Sequence, residues 1–180
     1  GPVEKCRIAP YGIYIPLSSG RSRAEGIAGE FRVLTIATVQ LRKGIPYLLE
    51  AARVLAGENV QFRLVGPVEI SNEALRALRQ TVDVAGPLPH SRIGDEYNRA
   101  DVFLLPSHSE GLSNALMEAM ASGCACIASD TGGNGFLIQN GVSGFLFPPG
   151  DREALAAHIR RLVTDPAKRK ALGEGARRRI

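Results

Sequence analysis

From Phe31 onward, short apolar runs alternate with stretches in which apolar residues recur every three or four positions. The runs FRVLTIATV (31–39), VQFRLVGP (60–67), VDVAGPL (82–88), DVFLLP (101–106), CACIAS (124–129) and GFLF (144–147) read as strands. Helical segments fill the gaps. Residues 45–56 place Ile45, Leu48, Leu49, Ala52 and Leu55 on one face. Residues 72–80, 89–100 and 112–122 follow as helices. Asp151 then caps a helix with Leu155, Ile159, Leu162 and Val163 on one side. Asp165-Pro166 breaks it, and a last helix runs into the C-terminus. Strand and helix alternate throughout. The pattern therefore predicts an α/β fold, a Rossmann-like doubly wound parallel sheet of about six strands with helices on both faces.

Composition narrows this picture only a little. The 180 residues suit one domain, 44% are hydrophobic, and the net charge is +4. Residues 1–30 read as an entry segment and linker, because 17–30 is rich in Ser, Gly and charge. The Rossmann-like domain, read below as nucleotide-sugar-binding, then spans 31–180. No apolar stretch nears the roughly 20 residues of a membrane span, and no signal peptide is visible. Part of the positive charge is Arg177-Arg178-Arg179, read as a solvated helix end. Aromatic residues make up 6% and are not interleaved with it, so nucleic acid is not an expected partner. Of the three cysteines, Cys124 and Cys126 share a face of one strand and Cys6 stands alone. Reduced buried thiols in the cytoplasm are expected. His108 and His158 have no ligand spacing to them, so no metal is expected.

The chemistry gathers in PSHSEGLSNALMEAMASG, residues 106–123, where a strand, a polar turn and a helix follow one another. Glu110 would lie at the mouth of the helix and Glu118 about two turns inside, roughly 12 Å away along the axis. That is too far for a close acid/base dyad, whose carboxyls stand about 5 Å apart. It suits one elongated ligand held at both ends. The backbone N–H groups of Gly111, Leu112 and Ser113 would form the helix N-terminus, an anion site. Hydroxyls at both ends and a diphosphate between them describe a nucleotide-sugar. In a doubly wound sheet the ligand sits at the carboxyl ends of the strands. Arg42 and Lys43, after the first strand, would neutralise a diphosphate there. Gly66 and Gly86, ending the next two strands, would let backbone approach a flat base.

Glu110 and Glu118 with seven residues between them, in the setting P-S-x-x-E-G-L-x-x-x-x-x-E-A-M-A-x-G, resemble the E-x7-E signature of the retaining glycosyltransferases of family 4, the group 1 glycosyltransferases. The resemblance covers about residues 5 to 175 and matches the C-terminal, donor-binding half of a GT-B enzyme. It implies that Glu118 accepts hydrogen bonds from ribose hydroxyls and that Glu110 contacts sugar hydroxyls. It also implies that Lys43 holds the diphosphate and assists the leaving group, and that backbone at Leu88 reads the base. The family's G-R-L-x-x-x-K-G segment keeps its Lys as Lys43. Its Arg is replaced by Ala37 or Thr38, and Arg42 stands as the substitute cation. Residues 5–13, KCRIAPYGI, resemble the segment leading into the family's C-terminal domain, with Tyr11 for its Asn. The family's G-G-x-P-E becomes Gly132-Gly133-Asn134-Gly135-Phe136, without Pro or Glu.

Three functions fit these residues: the donor-binding domain of a hexosyltransferase, a nucleotide-sugar epimerase of GT-B architecture, and a non-catalytic nucleotide-sugar-binding module. Under the first, the acceptor (glycan, lipid or small molecule) binds an N-terminal domain not carried by this chain. The isolated piece is then expected to be inactive, because positioning supplies much of the rate. The donor is a UDP-, GDP- or ADP-sugar with no cofactor. The inner face of the membrane stays open as a place of work, since many of the family's acceptors lie at membrane surfaces.

Overall fold

The strands order themselves β3-β2-β1-β4-β5-β6, all parallel, in one six-stranded sheet. The computed structural model describes residues 30–180. The linker reading of 1–30, the KCRIAPYGI segment and Cys6 lie outside the described residues, apart from position 30. The strands are β1 (Phe31–Ile36), β2 (Val60–Val65), β3 (Val82–Gly86), β4 (Val102–Leu105), β5 (Ala125–Ser129) and β6 (Phe145–Phe147). The helices are α1 (Ile45–Val54), α2 (Asn72–Leu78), α3 (His90–Arg99), α4 (Asn114–Ala121), α5 (Asn134–Leu137), α6 (Arg152–Thr164) and α7 (Pro166–Arg179).

Strand side chains alternate between two apolar layers, as a sheet covered on both faces requires. Val102 and Leu104 of β4 join one layer with Leu48 of α1, Leu78 of α2 and Leu155, Ile159 and Leu162 of α6. Phe103 and Leu105 join the other with Tyr97 of α3, Leu116 and Met120 of α4 and Leu137 of α5. Cys124 and Cys126 both lie in this second layer, buried and outside any disulfide, so they share a face as the sequence predicts. Asp151 caps α6 by accepting from the Ala154 N–H at 2.9 Å. Asp165 ends α6 and caps α7, accepting from the Lys168 N–H at 2.8 Å, so the break is also a start.

Several elements end a residue or two earlier than expected, and three differences bear on the site. β1 stops at Ile36 instead of 39, although Val39 pairs again with Val68. α4 begins at Asn114 and not at 112, because Ser113 is its N-cap, with Oγ accepting from the Leu116 N–H. α5 was not foreseen: four residues after Gly132-Gly133 have no apolar period to read.

His158 on α6 stacks against Phe145 of β6, with ring centroids 4.5 Å apart and 9° between planes. Burial holds its imidazole below the ordinary value of 6.5, against a backbone hydrogen bond with Leu146 that pulls the other way. The folded chain thus favours the neutral ring, and the unfolded chain takes up the proton more readily. This residue's contribution is complete above the unfolded value and is lost as the pH falls through the folded one. The melting temperature should therefore drop on acidification below about pH 6.5, with His158→Phe removing part of that drop. Parallel curves for parent and variant would show that His158 is not responsible.

Candidate functional site

The sheet order reverses between β1 and β4, since the chain runs outward to β3 and returns beside β1. Ligand crevices of doubly wound sheets open at this switch point. Two loops meet there. A single 3-10 turn, Leu41–Lys43, follows β1, and residues 106–113 follow β4.

Gly44 lets the two loops touch. It is left-handed, with φ 70° and ψ 26°, and ends the 3-10 turn while starting α1. Its N–H donates to the Leu41 carbonyl at 2.9 Å, and its carbonyl accepts from the N–H groups of Tyr47 and Leu48. A Cβ here would lie 1.8 Å from the Pro106 carbonyl oxygen. Only glycine permits this approach of the turn to the end of β4.

The approach brings a cation onto an acid. Lys43 Nζ lies 2.7 Å from Glu110 Oε1, with the two side chains 16% and 6% exposed. The Ser107 hydroxyl donates to the same oxygen at 2.6 Å. Glu110 Oε2 accepts from none of the described residues in the same way. One carboxylate oxygen is therefore fixed by a charge and a hydroxyl. Arg42 lies along the same loop: its Nη1 donates to the Ser109 carbonyl at 3.2 Å, while its own carbonyl accepts from the His108 N–H at 2.9 Å. It is exposed, so its remaining donors reach solvent. The His108 ring tilts against Tyr47, with centroids 5.0 Å apart.

The loop after β5 closes the third side. Gly133 N–H donates to the Gly111 carbonyl at 2.9 Å, and Thr131 Oγ1 to the His108 carbonyl at 3.1 Å. Ser129 Oγ donates to the Ser107 carbonyl. The segment keeps the family's glycine pair without its Pro and Glu, and still braces the turn carrying Glu110.

The later start of α4 changes the anion site. Gly111 and Leu112 belong to the loop, and Ser113 is the cap. The helix amides without an intrahelical acceptor are those of Asn114 and Ala115, with Leu116 N–H taken by Ser113 Oγ. Glu118 consequently sits about one turn inside α4 instead of two. The 12 Å spacing, which assumed helix from 110 onward, does not apply to residues 110–113.

Glu118 is held separately. Tyr97 of α3, buried in the second apolar layer, donates its hydroxyl toward Glu118 Oε2 at 2.9 Å and the Ala115 carbonyl at 3.1 Å. Burial, and then the Glu118 charge, raise the Tyr97 hydroxyl well above the usual phenol range, so it stays a neutral donor. Leu88, after β3, packs on the same apolar layer as Leu112 and Ala115. Gly66 is buried with φ 144°, and a Cβ there would lie 2.1 Å from the Ala37 carbonyl oxygen. Close packing against β1's end accounts for this glycine, and a base's approach is not needed to explain it.

Ser107 and Tyr97 are the two residues that sequence reasoning missed. Each is a hydroxyl inside or beside an apolar run. The available signal was position: Ser107 comes three residues before Glu110, at the end of β4, and Tyr97 lies on the inner side of α3. Among the described residues no group of three or more His, Cys, Asp or Glu could hold a metal ion. No helix there is long and apolar enough to cross a membrane.

Residues 21–179 match the family model described as "Glycosyl transferases group 1". Over 174 residues the chain is 33% identical to the amylovoran biosynthesis glycosyltransferase AmsK of Erwinia amylovora, across 89% of this chain and 42% of that protein. Its fold matches sucrose-phosphate synthase from Thermosynechococcus elongatus with a TM-score of 0.79 and 30% identity, covering 92% of this chain and 44% of the other. Anabaena Alr3699/HepE, solved with UDP and glucose, gives a TM-score of 0.75 and 26% identity over 85% of this chain and 44% of its own. The chain thus spans less than half the length of each of these relatives. The chain belongs to the group 1 glycosyltransferases.

Proposed function

We propose that this chain is the donor-binding domain of a retaining glycosyltransferase, which moves a hexose from a nucleoside diphosphate sugar to an acceptor held mainly by another domain. The observation that carries the reading is the Lys43–Glu110 contact of 2.7 Å at the switch-point crevice. A cation suited to phosphate and a carboxylate suited to hydroxyls thus stand side by side, in the loop that leads into α4. HepE, a relative in fold and sequence, has been solved with UDP and glucose, a nucleotide and a sugar of this class.

In this reading the diphosphate lies over the loop amides of Gly111 and Ser113 and the first amides of α4, where the helix dipole favours negative charge. Lys43 turns from Glu110 toward the phosphates and stabilises the charge that builds on the leaving diphosphate. Arg42 supplies the second cation through its exposed donors. Glu110 Oε2 meets sugar hydroxyls, and Glu118 receives the ribose hydroxyls. Leu88 lies beside the base. The charge work falls to Lys43, Arg42 and the amides, with no metal required.

Calorimetry on the chain with UDP, GDP and ADP tests the assignment. Glu118→Ala should weaken the best of the three by about tenfold, the scale of hydrogen bonds to a charged group. Unchanged affinity would remove Glu118 from the site.

A further inference from the structure

We infer that Tyr97 is a positioning residue for Glu118, its hydroxyl fixing the carboxylate that receives the ribose; the inference rests on the donor-site reading above. Tyr97 does not face the crevice. It is 3% exposed, and its ring tilts against Phe103 with centroids 5.8 Å apart. The neighbouring residue pins the helix that carries it: Glu96 takes a two-point contact from Arg63 of β2, at 2.7 and 2.8 Å. From this fixed base the hydroxyl reaches across to α4 and touches Ala115 and Glu118 together.

The consequence is geometric. A glutamate on a helix surface has three free torsions and pays to order them when it binds. Here Oε2 is held by Tyr97, so Oε1, which accepts from no described residue, is left in one place for a ligand. A donor aimed at Oε1 meets an oriented acceptor, and less ordering is left for the binding step. The contact also ties Glu118 to the first turn of α4 through the shared Ala115 carbonyl.

Tyr97→Phe tests this with the ring packing kept. The probes are UDP and 2′,3′-dideoxy-UDP, with the GDP and ADP pairs run alongside, titrated by calorimetry into the parent, Tyr97→Phe, Glu118→Ala and the double variant. A thermal melt checks that each is folded. The expected result for Tyr97→Phe is a loss of about fivefold for the ribose form, less than Glu118→Ala costs because the carboxylate stays and only its orientation is lost, and no loss for the dideoxy form. In the Glu118→Ala background the Phe change should cost nothing further, because the two act through one contact. An equal loss for ribose and dideoxy forms makes Tyr97 merely structural and overturns the inference. So does parent-like binding by Tyr97→Phe where Glu118→Ala is weakened. If Glu118→Ala itself leaves the ribose form unaffected, the donor-site reading fails, and that outcome is distinct from the other two.

Discussion

Lys43→Gln is expected to lower affinity for the preferred nucleoside diphosphate by tenfold or more, while the matching nucleoside binds as before. The argument is one of charge. Lys43 is a compact cation with its Nζ 2.7 Å from Glu110 and 16% exposed, so it meets a diphosphate in a partly dehydrated setting. Hydrogen bonds to charged groups in such places contribute about 1.5–3 kcal/mol. Glutamine keeps a donor and the length of the stem's inner part but carries no charge. Glu110 loses its ion-pair partner in the variant, yet Ser107 Oγ still donates to Oε1, so the carboxylate keeps one anchor. Loop disruption would weaken nucleoside and diphosphate together, whereas loss of a phosphate contact weakens only the second. Titrating uridine against UDP, guanosine against GDP and adenosine against ADP separates the two. Equal losses within a pair would contradict the phosphate role. Under the proposed function, the same change in a transferase that joins this domain to an acceptor-binding one should lower kcat by about a hundredfold or more, the scale of removing one group that stabilises developing charge.

The strands were legible because a sheet covered on both faces needs unbroken apolar runs, and each of the six runs from Phe31 to Phe147 contains a strand. Their ends were less so. Ala37 and Thr38 extend the run past β1, yet the regular ladder ends at Ile36 and only Val39 pairs again, its N–H donating to the Pro67 carbonyl and its carbonyl accepting from the Glu69 N–H. Leu112 continues the apolar period of α4, yet Ser113 spends its hydroxyl on Leu116 and fixes the start at Asn114. Local sequence cannot rank a cap against a period. Strand order was beyond reach for a different reason: it is set by which crossover packs where, a contact between segments far apart in the chain.

The same division applies to the site. The rule that ligands gather at strand carboxyl ends groups Lys43 with Glu110 before any coordinates, and the two stand in contact. It says nothing of what holds each acid. Ser107 and Tyr97 act on Glu110 and Glu118 from within apolar surroundings, where a hydroxyl in sequence resembles any other. The departures from the family pattern after β5 gain a physical meaning only from the fold. Gly133 serves the Gly111 carbonyl through its backbone N–H, a contact that asks nothing of the missing Pro and Glu.

Gly44→Ala should destabilise the chain and withdraw the cation from the crevice together. The left-handed backbone at φ 70° costs an alanine about 1–2 kcal/mol on its own. The added Cβ, 1.8 Å from the Pro106 oxygen and 2.6 Å from its carbon, meets backbone and not a side chain that can turn away. The 3-10 turn must therefore lift off the end of β4. Lifting it breaks the Arg42–His108 backbone hydrogen bond and withdraws Lys43 from Glu110. With strain and lost contacts together near 3 kcal/mol, the melting temperature should fall by roughly 10 °C for a chain of this size. Diphosphate affinity should fall with it even well below the melting transition, because the cation no longer reaches the crevice. Gly57→Ala is the control: it has positive φ, 88°, but nothing lies within 4 Å of its Cβ, so only the backbone term acts. A Gly44→Ala protein that melts like Gly57→Ala and binds UDP, GDP or ADP like the parent would show that the two loops do not depend on this contact.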